Sequence, residues 1–213
     1  LSVEKELEAD CMAGAFLAWE IEEGKITEDD FFVLLDLVNN LGDPEGTSAL
    51  IIAVINGHWD TVAALVDKGA NVNLPDIKGM TPLYAAIDMH TLGDTFGRPY
   101  PPAPVIEGSV GAIKILLAKG ANPNARPNGA ILKRVYDAGD NRLGEGATPF
   151  MRAARKCDVV VMKLLLEAGA DPKLTQKSGN TPLMLAAGAV SSGGDEALRI
   201  SEEQAVAAIT LGI

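Results

Sequence analysis

The chain has 213 residues, enough for one large domain or two small ones, and 47% are hydrophobic but only 5% aromatic, so any core is aliphatic. Cys11 and Cys157 lie far apart in the sequence, which excludes a disulfide-rich scaffold and a zinc site of paired thiolates. No run of about 18 apolar residues is present, so we expect no membrane span, and we expect neither a cofactor nor a metal. The chain begins at Leu1 rather than Met, which leaves open whether further sequence precedes it.

The negative charge is concentrated at the N-terminus. Residues 1–50 hold 13 acidic and 2 basic residues, a net charge of −11, whereas residues 51–213 hold 16 of each. We therefore place a domain boundary near Gly46. Nucleic acid is not expected as a partner, because contacts to phosphate need clustered Lys and Arg. The one stretch that would favour it is 126–163, with eight basic residues against four acidic ones.

Two short phrases recur along the rest of the chain. One is Lys68-Gly69-Ala70-Asn71, Lys119-Gly120-Ala121-Asn122 and Ala168-Gly169-Ala170-Asp171. The other is Thr81-Pro82-Leu83, Thr148-Pro149-Phe150 and Thr181-Pro182-Leu183, with Ser48-Ala49-Leu50 as a degenerate copy. A period of 33 residues separates Gly46 from Gly79 and Gly146 from Gly179. Longer spacings of 51, 49 and 43 residues, from Gly69 through Gly120 and Gly169 to Gly212, are the same period with insertions.

Each unit predicts a pair of helices. Thr is suited to cap the first helix, and Pro to occupy its first turn, where no N–H is needed. A second helix, as over 59–67 or 159–167, then ends at a Gly suited to a left-handed C-cap. Because a lone helix pair cannot bury its apolar face, neighbouring pairs are expected to stack.

These residues resemble the ankyrin repeat: Gly57-His58, the Thr-Pro-Leu helix start and Gly69-Ala70-Asn71-Val72-Asn73 match its pattern. The resemblance implies an all-α solenoid of stacked helix-turn-helix units with almost no strand. We place four repeats at about 43–75, 76–125, 143–175 and 176–213. The first repeat lacks the Thr-Pro pair, and the His that usually follows Thr-Pro-Leu is replaced by Tyr84, Met151 and Met184.

Three insertions interrupt the array, at about 89–108, 126–145 and 188–198, a pattern similar to a group of bacterial ankyrin proteins. The first contains Arg98-Pro99-Tyr100-Pro101-Pro102-Ala103-Pro104, which favours an extended polyproline conformation. Two interpretations are open. The insertion is tolerated growth of a surface loop, which costs little free energy, or it is a recognition loop in which Tyr100 contacts a partner.

Residues 1–45 predict an acidic pair of helices, and one interpretation is a cap for the end of the array. The other comes from Glu6-Leu7-Glu8-Ala9-Asp10, which resembles the Glu-Leu-x-Ala-Asp helix of bacterial neutral zinc metallopeptidases. That resemblance implies a zinc-ligating role for Glu6 and a histidine-orienting role for Asp10. Such chemistry also needs a His-Glu-x-x-His pair, and the chain has only His58 and His90. The alternative is therefore a remnant or tail of a peptidase.

No other pattern indicates catalysis. His58 stands at the structural Gly-His position of the ankyrin repeat, His90 is expected to be solvated, and Cys157 is expected to be a small buried filler. Neither a Ser-His-Asp motif nor a Gly-rich phosphate loop occurs in the sequence. We therefore expect a non-enzymatic protein.

We predict a module that binds another protein. Stacked ankyrin repeats form a concave groove from their turn tips and first helices, and the resemblance implies that variable positions there contact partners. In this chain they are Glu45, Thr47, Ile55, Asn56, Ile77, Lys78, Met80, Asp88, Met89, Glu145, Ala147, Arg155, Lys156, Lys177, Ser178 and Asn180. Arg155, Lys156 and Lys177 favour an acidic partner segment. Charge reversal at Arg155 and Lys156 is expected to weaken binding and leave the fold intact.

The C-terminal end of the array is expected to need a neighbour. Residues 202–211 form the predicted second helix of the fourth repeat, with Gly212 at its C-cap. The polar positions of this helix cover one side only, so its other apolar positions stay open. We expect that the natural protein continues beyond Ile213, or that a partner or a second copy covers this end.

Overall fold

The computed structural model describes residues 47–90, 103–128, 143–188 and 202–211, all within one compact unit, Pro44–Ile213. The predicted helix pair of residues 1–45, with Glu6 and Asp10, lies outside the described residues. So do Glu45, Tyr100 and most of each predicted insertion.

The described residues form eight helices and no strand. The helices are α1 (Ala49–Ile55), α2 (Trp59–Asp67), α3 (Pro82–His90), α4 (Ala103–Ala118), α5 (Pro149–Arg155), α6 (Val159–Glu167), α7 (Pro182–Ala186) and α8 (Glu202–Leu211). Helices α1, α3, α5 and α7 pack side by side as a first row, and α2, α4, α6 and α8 follow each other in a second row. This two-row stack confirms the predicted all-α solenoid.

The predicted caps begin the helices of the first row. The hydroxyl oxygens of Thr81, Thr148 and Thr181 accept hydrogen bonds from the backbone N–H three residues later, at 3.3, 3.2 and 3.1 Å. In the degenerate first copy, Ser48 makes the same bond to the N–H of Ile51 at 3.3 Å. Each cap satisfies one backbone donor that the helix itself leaves unpaired. The loss of Thr-Pro in the first repeat therefore does not change how its helix begins.

An aliphatic core lies between the two rows, as the composition predicts. The largest side chains with less than 2% exposure are Phe150, Leu50, Ile51, Met80, Leu83, Ile87, Ile113, Leu116, Met151, Met162, Leu165 and Leu185. Only one of these is aromatic. A small residue sets how closely two neighbouring helices of the second row approach: a β-carbon on Gly108 of α4 would lie 2.1 Å from Cδ1 of Trp59 in α2. Gly108, a poor helix former, is therefore required by this contact.

A ladder of asparagine side chains joins the loops between repeats, which follow α2, α4 and α6. Asn73 donates from Nδ2 to the carbonyl of Gly120 at 2.9 Å and accepts from the N–H of Asn122 at 2.7 Å. Asn124 repeats both bonds one loop later, to Gly169 at 2.9 Å and from Asp171 at 2.8 Å. We call these four bonds the asparagine ladder. Lys173 stands at the next position in this register, and its side chain has no acceptor.

Cys157 has a left-handed backbone conformation, with φ of 50°, and no other non-glycine residue of the described segments does. It stands at the end of a first-row helix in the register of Gly57, whose φ is 71°. A side chain at such an angle costs roughly 1 kcal/mol. The thiol is buried, at 3% exposure, and donates a weak hydrogen bond to the carbonyl of Ala186 in α7 at 3.5 Å. The strain in the backbone of Cys157 is offset by the contact that its thiol makes with the next repeat.

Of two equivalent loop positions, only one makes ladder bonds, so we expect alanine substitutions there to change the free energy of unfolding by unequal amounts. Asn124→Ala removes both bonds of one rung, so we expect the free energy of unfolding to fall by about 1–2 kcal/mol. Lys173→Ala, the matched control, removes an exposed side chain without a ladder bond and should change it by less than about 0.5 kcal/mol. Urea titration followed by circular dichroism measures both. Equal effects would mean that the ladder contributes nothing.

Two substitutions separate the effect of backbone strain at position 157 on stability from the effect of losing the thiol. Cys157→Ala and Cys157→Gly both remove the thiol, but only glycine relieves the left-handed conformation. We expect the glycine variant to be more stable than the alanine variant by about 1 kcal/mol. At Ala154, inside α5, the order should invert, because Ala154→Gly costs roughly 1 kcal/mol in a helix. The same order at both sites would contradict the backbone argument.

Candidate interaction surface

Two tight turns and the described parts of a longer connection lie side by side, each leading into a first-row helix. We call them tip 1 (residues 76–80), tip 2 (126–128 with 143–147) and tip 3 (176–180). In tip 1 the N–H of Asp76 donates to the carbonyl of Met80 at 3.0 Å, and in tip 3 Gln176 and Asn180 make the same bond at 3.0 Å. The carboxylate of Asp76 also accepts the N–H groups of Lys78 and Met80 at 2.9 and 2.8 Å. The turns are thus closed by their own backbone.

Backbone hydrogen bonds also join each tip to the next. The N–H of Asn128 donates to the carbonyl of Lys78 at 2.7 Å, and the N–H of Lys177 donates to that of Glu145 at 3.0 Å. Within tip 2, the N–H of Gly146 donates to the carbonyl of Pro127 at 2.8 Å. The guanidinium of Arg126 donates to the carbonyl of Thr175, which ties tip 2 to the approach of tip 3. The side chains of three repeats are therefore displayed on one fixed backbone.

The exposed side chains of the tips are of mixed chemistry, and we call them the tip surface. They are Ile77, Lys78, Arg126, Asn128, Glu145, Lys177 and Ser178. Ile77 is 62% exposed. The Nζ of Lys177 lies 2.6 Å from a carboxylate oxygen of Glu145, with side-chain exposures of 73% and 45%. Together with residues 173–175, the tips hold four basic and two acidic residues. These residues therefore carry a net charge of +2 within a chain of net charge −11.

Several predicted contact residues are not at the surface. Met80 and Arg155 are buried, at 1% and 3% exposure, and Ala147 and Thr47 are buried as well. The reason is packing: Met80 enters the core directly before a helix cap, and the last turn of α5 lies inside the first row. A carboxylate at position 155 would be buried at a high cost in free energy. We therefore expect charge reversal at Arg155 to destabilise the fold rather than to leave it intact.

Most of the remaining predicted contact residues are only half exposed. Ile55, Asp88, Met89, Lys156 and Asn180 are of intermediate burial, and Asn56 is exposed. Asp88 lies in an ion pair between repeats, with an oxygen 2.7 Å from Nε of the buried Arg152. The structure thus brings Ile77, Lys78, Glu145, Lys177 and Ser178 together at the tips. Met80 and Arg155 belong to the core instead.

A polar cluster around His90 joins two repeats, and sequence reasoning missed it. Nδ1 of His90 lies 2.7 Å from Oγ of Ser109 in α4, and Nε2 lies 2.9 Å from a carboxylate oxygen of Asp158 before α6. The side chain of His90 is 11% exposed rather than solvated. Ser109 is 1% exposed, so its hydroxyl is shielded from solvent, although the three residue types are those of a hydrolase. The cluster holds α3, α4 and α6 together.

The environment of Asp158 favours its ionised form. Burial raises the pKa of this carboxyl, but hydrogen bonds from His90 and the N–H of Val161, with the charge of His90, outweigh burial, so the pKa lies below its ordinary value. Asp158 also caps α6 by accepting the N–H of Val161 at 3.0 Å. Burial raises the pKa of the Cys157 thiol, against a smaller opposing effect of Arg155. Neither group has the environment of an exposed nucleophile.

The described segments show neither a cluster of metal ligands nor a membrane span. No group of three or more His, Cys, Asp or Glu side chains is placed there to hold a metal ion. None of the helices in those segments is long and apolar enough to cross a membrane.

Comparison with known families decides the classification. A sequence profile of ankyrin repeats, in three copies, matches residues 25–94 and 107–200. The chain belongs to the ankyrin repeat family. The match begins at residue 25, upstream of the predicted first repeat at residue 43. Ankyrin repeats are in general protein-interaction modules, and the family is typically non-enzymatic.

The chain is also similar to three known proteins, two of which are named for their ankyrin repeats. It is 29% identical over 143 residues to the mouse (Mus musculus) B-cell lymphoma 3 protein homolog, a match over 67% of this chain and 24% of that protein. It is 27% identical over 192 residues to the Escherichia coli K12 protein YahD, covering 85% of this chain and 90% of YahD. An ankyrin repeat-containing protein of Treponema pallidum is 27% identical over 170 residues, 79% of this chain and 45% of its own length. The zinc peptidase resemblance of residues 1–45 finds no support in these matches.

The His90 cluster predicts a pH-dependent contribution to the stability of the ankyrin array. Asp158→Asn keeps the helix cap, because Asn is an equally good capping residue, but removes the carboxylate that faces His90. We expect a loss of about 1 kcal/mol in the free energy of unfolding at pH 7. Because the pKa of Asp158 is lowered on folding, this contribution is complete above about pH 4, the unfolded value. It disappears as pH falls through the folded pKa.

Urea titrations of wild type and Asp158→Asn between pH 7 and pH 2.5 test this sign. The gap between the two curves should close at the acidic end. Asp67→Asn serves as the control, because its side chain is 77% exposed and its gap should stay small throughout. A gap at position 158 that widened on acidification would contradict the argument.

Proposed function

We propose that this ankyrin protein binds another protein through its tip surface and has no catalytic role. The supporting observation is the hydrogen-bonded row of tips, which holds Ile77, Lys78 and Lys177 on a fixed backbone. Little conformational entropy is lost when such a preorganised surface binds, so its exposed groups contribute more fully to affinity. The same proposal includes Met89 and Lys156, two half-exposed residues of the neighbouring concave groove.

An acidic partner segment fits this surface best. Lys78 and Lys177 lie on tips 1 and 3, and the ammonium of Lys78 has no ion-pair partner among the described residues. Ile77 beside Lys78 adds an apolar contact. A partner that places an apolar side chain on Ile77 and carboxylates near the two lysines would match both features. Charge complementarity of this kind mainly raises the association rate and selects the partner.

The alternative function is a zinc peptidase part, and only the pattern around Glu6 and Asp10 supports it. A metal assay on the purified chain distinguishes the two functions. Stoichiometric zinc that is lost in Glu6→Gln would favour the peptidase, whereas partner binding that is independent of zinc favours the interaction module. The recognition role of Tyr100 is tested in the same binding assay with Tyr100→Ala.

Charge reversal on the tips should weaken partner binding without loss of stability. We expect Lys78→Glu with Lys177→Glu to lower the affinity by roughly tenfold or more at low salt, an effect that shrinks as salt screens the charges. The control is Lys114→Glu with Lys119→Glu, which changes the net charge equally on another surface. The control is matched, because Lys119 and Lys177 each lie near one carboxylate, at 3.3 and 2.6 Å.

A photo-crosslinker at position 77 first captures the partner, and the purified partner is then titrated with each variant. Thermal unfolding is the control that checks whether both double variants remain folded. Equal affinities of the tip and control variants would remove the tip surface from the proposed function.

A further inference from the structure

Glu145 is the one exposed carboxylate among the residues of the three tips. The other acidic residue there, Asp76, is half-buried, and its Oδ1 accepts the backbone N–H groups of Lys78 and Met80 at 2.9 and 2.8 Å. Asp76 is thus engaged within its own turn. Glu145 instead contacts the next tip, because one of its carboxylate oxygens lies 2.6 Å from Nζ of Lys177.

The backbone holds this ion pair in place. The N–H of Lys177 donates to the carbonyl of Glu145 at 3.0 Å, so the two side chains extend from residues that are already hydrogen-bonded to each other. Next to Glu145, the buried Gly146 donates its N–H to the carbonyl of Pro127 at 2.8 Å. Pairing therefore orders only the two side chains, and the backbone loses no further conformational freedom.

The two lysines of the tip surface differ in the unbound protein. Nζ of Lys78 has no ion-pair partner among the described residues, whereas Nζ of Lys177 is paired with Glu145. A partner carboxylate meets Lys78 directly, but it meets Lys177 only by taking the place of Glu145. Exposed ion pairs are weak, so this replacement is open to a partner but lowers its affinity.

The row of tips also sets the spacing of the two lysines. Three backbone hydrogen bonds lie between them: Asn128 to Lys78, Gly146 to Pro127, and Lys177 to Glu145. Backbone segments joined in this way lie about 4.8 Å apart, so the two lysine residues are separated by roughly 14 Å. An extended segment covers this distance in about four residues. A partner therefore reaches both lysines when its carboxylates have that spacing.

We infer that Glu145 is an internal competitor for the acidic partner: its carboxylate occupies Lys177 in the unbound protein, and binding displaces it. This inference rests on the proposed function and makes Glu145 a residue that determines specificity. A segment with a single carboxylate binds at Lys78 and leaves the ion pair intact. A segment with a second carboxylate at the right spacing gains Lys177, but only against Glu145. Glu145 thus limits the advantage of added carboxylates and disfavours unrelated polyanions.

Two synthetic peptides test the competition. One carries six glutamates around a central leucine, and the other carries a single glutamate among serines. Amide NMR of the full chain follows the backbone signals of Lys78 and Lys177 during titration and yields the dissociation constants. We expect Glu145→Gln to raise the affinity for the first peptide roughly three- to fivefold at about 20 mM salt, and less than about twofold at 0.5 M. The affinity for the second peptide should change by less than about 1.5-fold.

Two controls separate competition from the change in net charge. Asp67→Asn releases Lys119, which lies 3.3 Å from the Asp67 carboxylate, and it changes the net charge equally on another surface. It should raise the affinity by less than about 1.5-fold. In a Lys177→Gln chain, Glu145→Gln has no lysine to release, so its gain should fall to the same small value. Thermal unfolding checks that each variant remains folded.

Four results would overturn the inference: an unchanged affinity in Glu145→Gln, a lowered one, an equal gain in Asp67→Asn, or a gain that persists without Lys177. A lowered affinity would mean that Glu145 orients Lys177 for the partner. If charge reversal at Lys78 and Lys177 weakens binding of the six-glutamate peptide but Glu145→Gln has no effect, the inference alone fails. If neither change affects binding, the proposed acidic partner fails as well.

Discussion

The asparagine ladder sets the register of the loops that follow α2, α4 and α6, and the arrangement of the first three repeats depends on that register. Each rung joins one side chain to two backbone groups of the next loop, at distances of 2.7–2.9 Å. Such a two-point contact limits both sliding and twisting between loops. The helix that follows each tip then starts at a defined place, so its cap, its apolar residues and its tip all meet the corresponding parts of the neighbouring repeat.

Features that repeat in the sequence were predictable, because each copy depends on the same interactions between residues close in sequence. The caps at Thr81, Thr148 and Thr181 and the left-handed glycines at the ends of second-row helices follow from residue types within a few positions. The structure has φ of 92°, 85° and 89° at Gly69, Gly120 and Gly169, as these sites require. The all-α solenoid then follows, because such units are stable only when stacked.

Contacts particular to one interface could not be predicted, because no repeated phrase encodes them. Arg152 meets Asp88 across 64 residues of sequence. His90 meets Asp158 across a predicted insertion, so nothing near His90 distinguishes a buried histidine from a solvated one. At Met80 and Arg155, family position alone predicted exposure, whereas burial depends on how far each neighbouring helix reaches. The exposed residues of the tips were therefore within reach of sequence reasoning, whereas the burial of predicted residues along the first-row helices was not.

The Arg152–Asp88 ion pair and the contact between His90 and Asp158 make cohesion along the array uneven. Both join the second repeat to the third, and both are largely buried. In the fourth repeat, Leu185 and Gly188 occupy the registers of Arg152 and Arg155 and carry no charge. Because the stability of a repeat array is a sum of units and nearest-neighbour interfaces, these two contacts add to the interface between the second and third repeats. The interface between the third and fourth repeats has no counterpart of either, so we expect α7 to open locally more often than α3 and α5, and its amide protons to exchange with solvent sooner.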